Sequence, residues 1–194
     1  MSGPRLADVA LGAWEWFGRK AAIGPGSRRA ARFAEFGEGS AICFPPVALY
    51  GEHAIVIGKH TLIGPNVALS VGMAPGQELI GERMLRIGDH TLIGRGCSIA
   101  CHFDIEIGDD VFFAPNVYVT DQNHTNADPA IGVGRQFAEE KPVVIGSRSW
   151  LATNVVVTPG VTIGEGVTVG ANSVVTSDLP DGCIAVGAPA RVVG

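Results

Sequence analysis

Histidine is the side chain whose ordinary pKa lies closest to neutral pH, which makes it the first candidate for a general base. The chain has five histidines. His60 and His90 occupy the same position of two equivalent segments, GKHT and GDHT, and we interpret both as structural. His124 ends the segment VTDQNH, after which a regular pattern gives way to a long irregular stretch. This position suits a general base, but on spacing alone a solvated loop histidine stays open as the alternative.

A second cluster of reactive side chains suggests metal binding. Cys97, Cys101 and His102 lie within six positions of one another, and thiolates with imidazoles are ligands that zinc prefers. Cys97, however, occupies a position that small residues fill throughout the repeat described below, which favours a structural role. We therefore expect no metal site.

The composition excludes several classes of protein. Of the 194 residues, 46% are hydrophobic and only 17% are charged, a balance that is not typical of disordered chains. The net charge of −5 argues against nucleic acid as the main partner. Four scattered cysteines do not suggest a disulfide framework, and neither a signal peptide nor a membrane-spanning run is recognisable. We expect a soluble cytoplasmic protein of one main domain.

A six-residue repeat fills most of the chain and must position these side chains. From Ile57 the sequence reads IGKHTL and IGPNVA, and from Ile145 it reads IGSRSW, LATNVV, VTPGVT, IGEGVT and VGANSV. An aliphatic residue opens each hexad, Gly or another small residue follows, and a small or β-branched residue stands four after the opener. This period suits one short strand and one tight corner. Three hexads would close a triangular coil of about eighteen residues, and roughly seven coils would form a prism on the order of 34 Å long, since parallel strands lie about 4.8 Å apart.

Two segments break the period, and the first 35 residues differ from the rest. We predict loops over residues 72–86 and 125–142, which often form the binding face of a repeat protein. Over residues 1–35 the apolar spacing predicts a helix, which we interpret as a cap over the open end of the repeat domain, residues 36–194. The alternative is a helix that lies on a membrane surface beside a basic flank; we do not expect membrane association to be its main role.

The hexads resemble the [LIV]-[GAED]-x-x-[STAV]-x repeat of the hexapeptide acyltransferases, and the resemblance covers roughly Phe36 to Val193. It implies an all-β fold, a left-handed parallel β-helix, preceded here by the N-terminal helical segment. The segment from Ile107 to Val117 looks like the stretch that leads to the catalytic histidine of the galactoside and maltose acetyltransferases. Counting on without a gap places that histidine at His124. The resemblance thus implies an O-acetyltransferase that uses acetyl-CoA and acts on a sugar or glycan hydroxyl.

The C-terminal hexads resemble the coenzyme A end of the same family. Residues 144–152 are similar to its IG…W-[IL]-[GA] hexads, and residues 169–191 look like its GA-x-S-VVTKD-[IL]-P…G-x-P-A-[RK] ending, with Ser177 where lysine often stands. The resemblance implies that these positions bind the donor through a channel wall, backbone amides and phosphate contacts. They are Trp150, Ala152, Thr153, Ala171, Thr176, Ser177 and Arg191.

The residues predicted to lie near the acceptor resemble the family less specifically than those predicted to bind the donor. Asp121 and Asn123 share the hexad of His124, and His102 is the polar side chain nearest to the position, about Ala100, of an asparagine that the galactoside enzymes use. We predict that these three side chains lie near the acceptor and that Asp121 or a backbone carbonyl orients the imidazole. The resemblance also implies a homotrimer with sites between adjacent prisms. The alternatives are a γ-type carbonic anhydrase-like zinc protein and a non-catalytic β-helix scaffold.

Overall fold

The computed structural model describes residues 5–193, so residues 1–4 and 194 of the two predicted domains lie outside the described part. Its strands form three sheets, and all but the last strand pair in parallel. We name the three sides of this prism after their surfaces. The polar face consists of Glu35–Phe36, Ile55–Ile57, Leu85–Ile87, Ile105–Ile107, Val143–Ile145 and Thr162–Ile163. The apolar face consists of Ala41–Ile42, Leu62–Ile63, Leu92–Ile93, Phe112–Phe113, Trp150–Leu151, Thr168–Val169, Ile184–Val186 and Arg191–Val192. The pocket face consists of Ala48–Tyr50, Ala68–Val71, Ser98–Cys101, Tyr118–Thr120, Val156–Val157 and Val174–Val175.

The predicted coil of three hexads is confirmed where no loop interrupts it. Val144 pairs with Thr162, and Val156 pairs with Val174, so each of these coils takes eighteen residues. Seven parallel strands and one antiparallel strand form the apolar face, which agrees with the roughly seven coils predicted. The chain is therefore a parallel β-helix over almost its whole length.

Each position of the hexad has a distinct physical role. The opening residues, such as Ile57 and Ile93, are buried and stack along the axis of the prism, as predicted. The small residue after the opener lies against the next coil: a Cβ on Gly88 would lie 2.6 Å from the carbonyl carbon of Gly108. The corner residue two positions later adopts a positive φ, a conformation that Gly, Asn and Asp adopt most readily. His60 and His90 occupy two of these corners, with φ of 54° and 53°. Both histidines stack on each other, with ring centroids 5.3 Å apart.

The N-terminal segment contains the predicted helix, Leu6–Ala21, but none of its residues is buried. The residues that follow it contribute to the hydrophobic core instead, namely Ile23, Ala30 and Phe33. A short 3-10 helix, Ala30–Arg32, lies in this stretch. The helix contacts the β-helix through Phe17, whose ring lies 5.1 Å from that of Phe44. We propose that the cap of the first coil is this following stretch together with the helix.

Two loops leave the pocket face where the sequence breaks its period. The first spans residues 72–84 and ends two residues earlier than predicted, because Leu85 and Arg86 already pair with Ile55 and Val56. The second connects Thr120 to Val143 and contains the 3-10 helix Val133–Arg135. A third short 3-10 helix, Glu52–Ala54, lies at an earlier corner on the same edge. Both loops therefore border one side of the prism.

The three faces differ in their exposed side chains. On the polar face, Arg86 forms ion pairs with Asp104 at 2.6 Å and with Glu106 at 2.8 Å. On the apolar face, large hydrophobic side chains in register form a row that we call the apolar ladder. It comprises Leu62, Leu92, Phe112 and Trp150 on consecutive strands and, beyond Thr168, Ile184, each of these hydrophobic side chains at least 40% exposed. Among the residues described, no helix has the length and hydrophobicity needed to cross a membrane.

Candidate functional site

A cavity of about 580 Å³ lies on the pocket face, bordered by the second loop. Strand side chains form its floor, and residues of both loops form its rim. Its lining comprises Tyr50, Ser70, Met73, Ala100, His102, Tyr118, Thr120, Gln122, Asn123, His124, Gly134, Phe137, Val156, Thr158 and Pro159. The fold thus brings three of the predicted site residues, His102, Asn123 and His124, to one cavity.

His124 is held by the second loop. Its Nδ1 lies 3.1 Å from the backbone carbonyl oxygen of Gln136, and its ring lies 5.0 Å from that of Phe137. A carbonyl oxygen can only accept a hydrogen bond, so this contact requires the proton on Nδ1 and leaves Nε2 as the acceptor in the neutral ring. The backbone N–H of His124 donates to Asn123 Oδ1 at 2.8 Å. The imidazole is therefore oriented at the edge of a cavity, with Nε2 left free to accept a proton, as a general base does.

Asp121 lies elsewhere than expected. We expected its carboxylate to contact the acceptor or orient His124, but the side chain is fully buried and accepts three backbone N–H groups at 2.8 Å, those of His102, Phe103 and Asp104. A carboxylate saturated in this way cannot face the acceptor. Asp121 instead fixes the turn that presents His102 to the cavity. The backbone carbonyl of Gln136, and not Asp121, contacts the imidazole of His124.

The two cysteines beside this turn are buried thiols. Cys97 Sγ contacts the carbonyl oxygen of Ala114 at 3.2 Å, and Cys101 Sγ contacts that of Met84 at 3.2 Å. Burial raises the pKa of Cys97 to about 11, and burial together with the charge of Asp121 raises the pKa of Cys101 further. High pKa values disfavour the thiolate that binds zinc. Within residues 5–193, no three His, Cys, Asp or Glu side chains are placed to hold a metal ion.

The residues predicted to bind the donor lie on the last coils but at different corners. Trp150 projects from the apolar face and is 46% exposed. Thr153 and Ala171 lie at the corner between the apolar face and the pocket face, where the carbonyl of Thr153 accepts the N–H of Asn172. The N–H of Ala152 donates to Val169 O at 2.9 Å, so this amide, predicted to bind the pantetheine arm, is already used within the coil ladder.

The predicted phosphate contacts form a separate group. Thr176 and Ser177 are exposed at the corner that follows the pocket face, just before Leu179 bridges to Ile163 of the polar face. Arg191 is exposed on the antiparallel strand that ends the apolar face, where it pairs with Val186. A single chain therefore brings neither these residues nor Trp150 to the cavity of His124.

Sequence reasoning missed four residues around His124. Tyr50 and Tyr118 line the cavity from the pocket face, and Tyr118 could have been found because it fills the outward-facing last position of its hexad. Phe137 and Gln136 lie in the irregular loop, where the repeat gives no information about which side chains turn inward.

Comparisons with known proteins confirm the resemblance to hexapeptide-repeat transferases. A family model described as bacterial transferase hexapeptide (six repeats) matches residues 142–177, and one described as hexapeptide repeat of succinyl-transferase matches residues 84–121. A putative lipopolysaccharide biosynthesis O-acetyl transferase, WbbJ, of Escherichia coli K12 is 40% identical over 49% of this chain and 52% of its own length. Galactoside O-acetyltransferase of the same organism is 36% identical over 50% of this chain and 46% of its own length. The chain thus spans about half the length of the curated relatives it matches.

Two solved structures share the fold of this chain. AntD, an N-acyltransferase from Bacillus cereus solved with dTDP and Coenzyme A, superposes with a TM-score of 0.71 at 21% identity and covers 89% of this chain and 91% of its own. A maltose O-acetyltransferase from Clostridium difficile 630 superposes with a TM-score of 0.50 at 33% identity over 66% of this chain and 64% of its own. The predicted left-handed parallel β-helix is confirmed.

Proposed function

We propose that this hexapeptide-repeat protein transfers the acetyl group of acetyl-CoA to a hydroxyl of a sugar or glycan, with His124 as the general base. The observation that carries the proposal is the contact between His124 Nδ1 and Gln136 O at 3.1 Å beside the cavity of the pocket face. Relatives named acetyltransferases and a maltose O-acetyltransferase of the same fold support the reaction class.

The chemistry follows from that geometry. The thioester of acetyl-CoA supplies an acyl carbon open to attack. Nε2 of His124 takes the proton of the acceptor hydroxyl while its oxygen forms a bond to that carbon, and the imidazolium then returns the proton to the departing sulfur as the C–S bond breaks. The products are an acetyl ester and free coenzyme A, so His124 ends unchanged and neither an oxidant nor a metal ion is required. His102 and Asn123, which line the same cavity, contact the acceptor.

The donor reaches His124 across an interface between copies of the chain. Trp150 projects from the apolar face, whereas His124 borders the pocket face of the same prism. A flat row of exposed hydrophobic side chains such as the apolar ladder is typical of a protein–protein interface. If the apolar face of one copy covers the pocket face of the next, the contact is head to tail. Such a contact forms a closed ring when the rotation between copies closes, and a ring of three copies is the assembly that we propose. Trp150 and its neighbours Ala152, Thr153 and Ala171 then wall the donor channel beside the partner's cavity.

Acceptor-dependent release of coenzyme A tests the reaction. Purified protein would be assayed with acetyl-CoA and a panel of neutral saccharides, alongside the variants His124→Asn and His90→Asn. Loss of a general base lowers turnover by about 10²–10⁴-fold, so we expect the turnover of His124→Asn to be lower than that of the wild-type protein by a factor in this range. His90→Asn is the matched control, because Asn tolerates the positive φ of that corner, and it should retain activity. Equal turnover in both variants would refute the role of His124, and the absence of release with every acceptor would refute the reaction.

A further inference from the structure

The second loop closes around one buried side chain amide. Gln136 is 9% exposed although its neighbours on both sides are exposed. Its Nε2 donates to the carbonyl oxygens of Asp128 at 2.9 Å and Ile131 at 2.6 Å, and its Oε1 accepts the N–H of Asp128 at 2.9 Å. Both protons of the amide are thus satisfied within the loop. This side chain ties the distal part of the loop to the strand-like segment that returns from it.

The backbone of the same residue holds the imidazole. The carbonyl oxygen of Gln136 accepts the N–H of Thr125 at 3.1 Å and contacts Nδ1 of His124 at 3.1 Å. The next residue, Phe137, forms an antiparallel bridge with His124 and packs its ring on the imidazole. One residue therefore connects the interior of the loop with the side chain that does the proposed chemistry.

We infer that Gln136 is the positioning residue of His124. The side chain amide of Gln136 fixes the position of its own peptide, and the carbonyl of that peptide selects the tautomer of His124 that carries the proton on Nδ1. This inference rests on the proposed function for its effect on turnover, but its effect on the tautomer does not depend on that function. Losing a hydrogen bond while its partner stays buried weakens the structure that the bond held. Without the amide, the carbonyls of Asp128 and Ile131 lose their donor. The backbone of Gln136 is then held only by its own hydrogen bonds, from the N–H of Thr125 and to the carbonyl of Val133.

The consequence for catalysis follows from geometry. A displacement of about 1 Å at a reacting group lowers turnover by about 10²-fold. Free imidazole in water favours the proton on Nε2 only slightly, so an imidazole without its carbonyl partner would populate both tautomers. A mixed population leaves a fraction of the molecules with the proton on the nitrogen that must accept one.

The test compares Gln136→Ala and Gln136→Met with Gln77→Met. Gln136→Met keeps the length and volume of the side chain, so the loop interior stays filled while the amide is removed. Gln77 is the matched control, because its Oε1 accepts the N–H of Met73 at 2.7 Å in the first loop. Nitrogen-15 NMR of labelled histidine, with His124 assigned by its absence from His124→Asn, reports the tautomer in the absence of any substrate.

We expect a single Nδ1–H tautomer in the wild-type protein and in Gln77→Met, and a mixture in both Gln136 variants. We expect turnover to fall about 10–100-fold in the Gln136 variants with the KM for acetyl-CoA unchanged, because Trp150 and its neighbours are untouched. An unchanged tautomer in folded Gln136→Met overturns the inference, even where turnover falls. If the wild-type protein shows the Nδ1–H tautomer but no transfer with any acceptor, the proposed function fails while the positioning role stands on the NMR result alone.

Discussion

Phe112 and Trp150 lie side by side in register on the apolar face, one coil apart, whereas His124 borders a different face of the prism. The aromatic pair and the imidazole are parts of one chain that the fold keeps apart. The proposed trimer brings Trp150 of one copy to His124 of the next, and this arrangement is open to direct tests.

Mixing two inactive variants tests the shared site. His124→Ala lacks the base and Trp150→Ser lacks the channel wall, so each should be inactive alone. If the two residues of one site come from adjacent copies, random reassembly of an equal mixture restores about a quarter of the sites. The measurement is coenzyme A release after the variants are unfolded and refolded together. Activity that stays at the level of the separate variants would show that each site is built within one chain.

A charge in the apolar ladder should dissociate the assembly. Leu92→Asp places a carboxylate in the middle of the row, where burial against a partner would require its desolvation. We expect sedimentation velocity to report a smaller species than the proposed trimer of the wild-type protein, and we expect activity to be lost with the assembly. Val56→Asp is the matched control, because Val56 pairs with Arg86 on the polar face and should leave the assembly intact. The interface proposal fails if both variants sediment like the wild-type protein.

The buried carboxylate of Asp121 should contribute strongly to stability. Asp121→Asn replaces one acceptor oxygen with an NH₂ group that would point at backbone N–H donors. A charged hydrogen bond contributes about 1.5–3 kcal/mol, so we expect the free energy of unfolding to fall by about 2–4 kcal/mol in urea titrations. Asp178→Asn is the control, since its carboxylate is exposed and accepts one N–H, that of Thr162, and the loss there should stay under about 1 kcal/mol. Equal losses in the two variants would contradict this role for Asp121.

Cys97 should contribute, beside Cys101, to a loss of stability of the protein in alkali. Its pKa is raised by burial from 9.0 to about 11 in the folded chain, so the folded state binds more protons than the unfolded state between those values. The stabilising effect of the neutral thiol is complete below pH 9 and declines as the pH rises towards 11, by about 1 kcal/mol at pH 10. Cys97→Val, which introduces the residue found at the equivalent position Val117, should show a smaller decrease between pH 8 and pH 10 in urea titrations. A decrease identical to that of the wild-type protein would exclude Cys97 as its source.

The repeat predicts the fold because it is local and redundant. Openers such as Ile57 and Ile145 repeat one pattern, and the burial of each reproduces that of the others, so single deviations do not obscure the coil. His124 could be found for the related reason that the pattern stops there. The role of Asp121 could not be predicted from the sequence. Its carboxylate accepts hydrogen bonds from the backbone N–H groups of residues 102–104 on the preceding coil, and nothing in the segment around Asp121 identifies these donors. Gln136 gives no signal at all in a loop without a period.

The N-terminal helix illustrates the same limit. Its apolar spacing predicts where it forms, since the helix observed is Leu6–Ala21, but it does not predict which surface it covers. The core positions at that end belong to Ile23, Ala30 and Phe33, in a stretch whose sequence shows no helical or hexad period. The segment that packs its side chains on the first coil is selected by the shape of that coil. This shape arises from the packing of the whole prism and cannot be read from the N-terminal residues alone.

The second loop begins and ends at almost the same point, because the N–H of Lys141 donates to the carbonyl of Asp121 at 2.9 Å. The residues between these two, apart from His124 and Gln136, can therefore change in length or sequence while the coils before and after the loop keep their register. The remainder of the loop is in this sense an exchangeable module on the acceptor side of the proposed site. We expect a chain that keeps His124 and Gln136 but takes the rest of this loop from another hexapeptide protein to acquire a new acceptor preference and to keep the same scaffold and proposed donor surface.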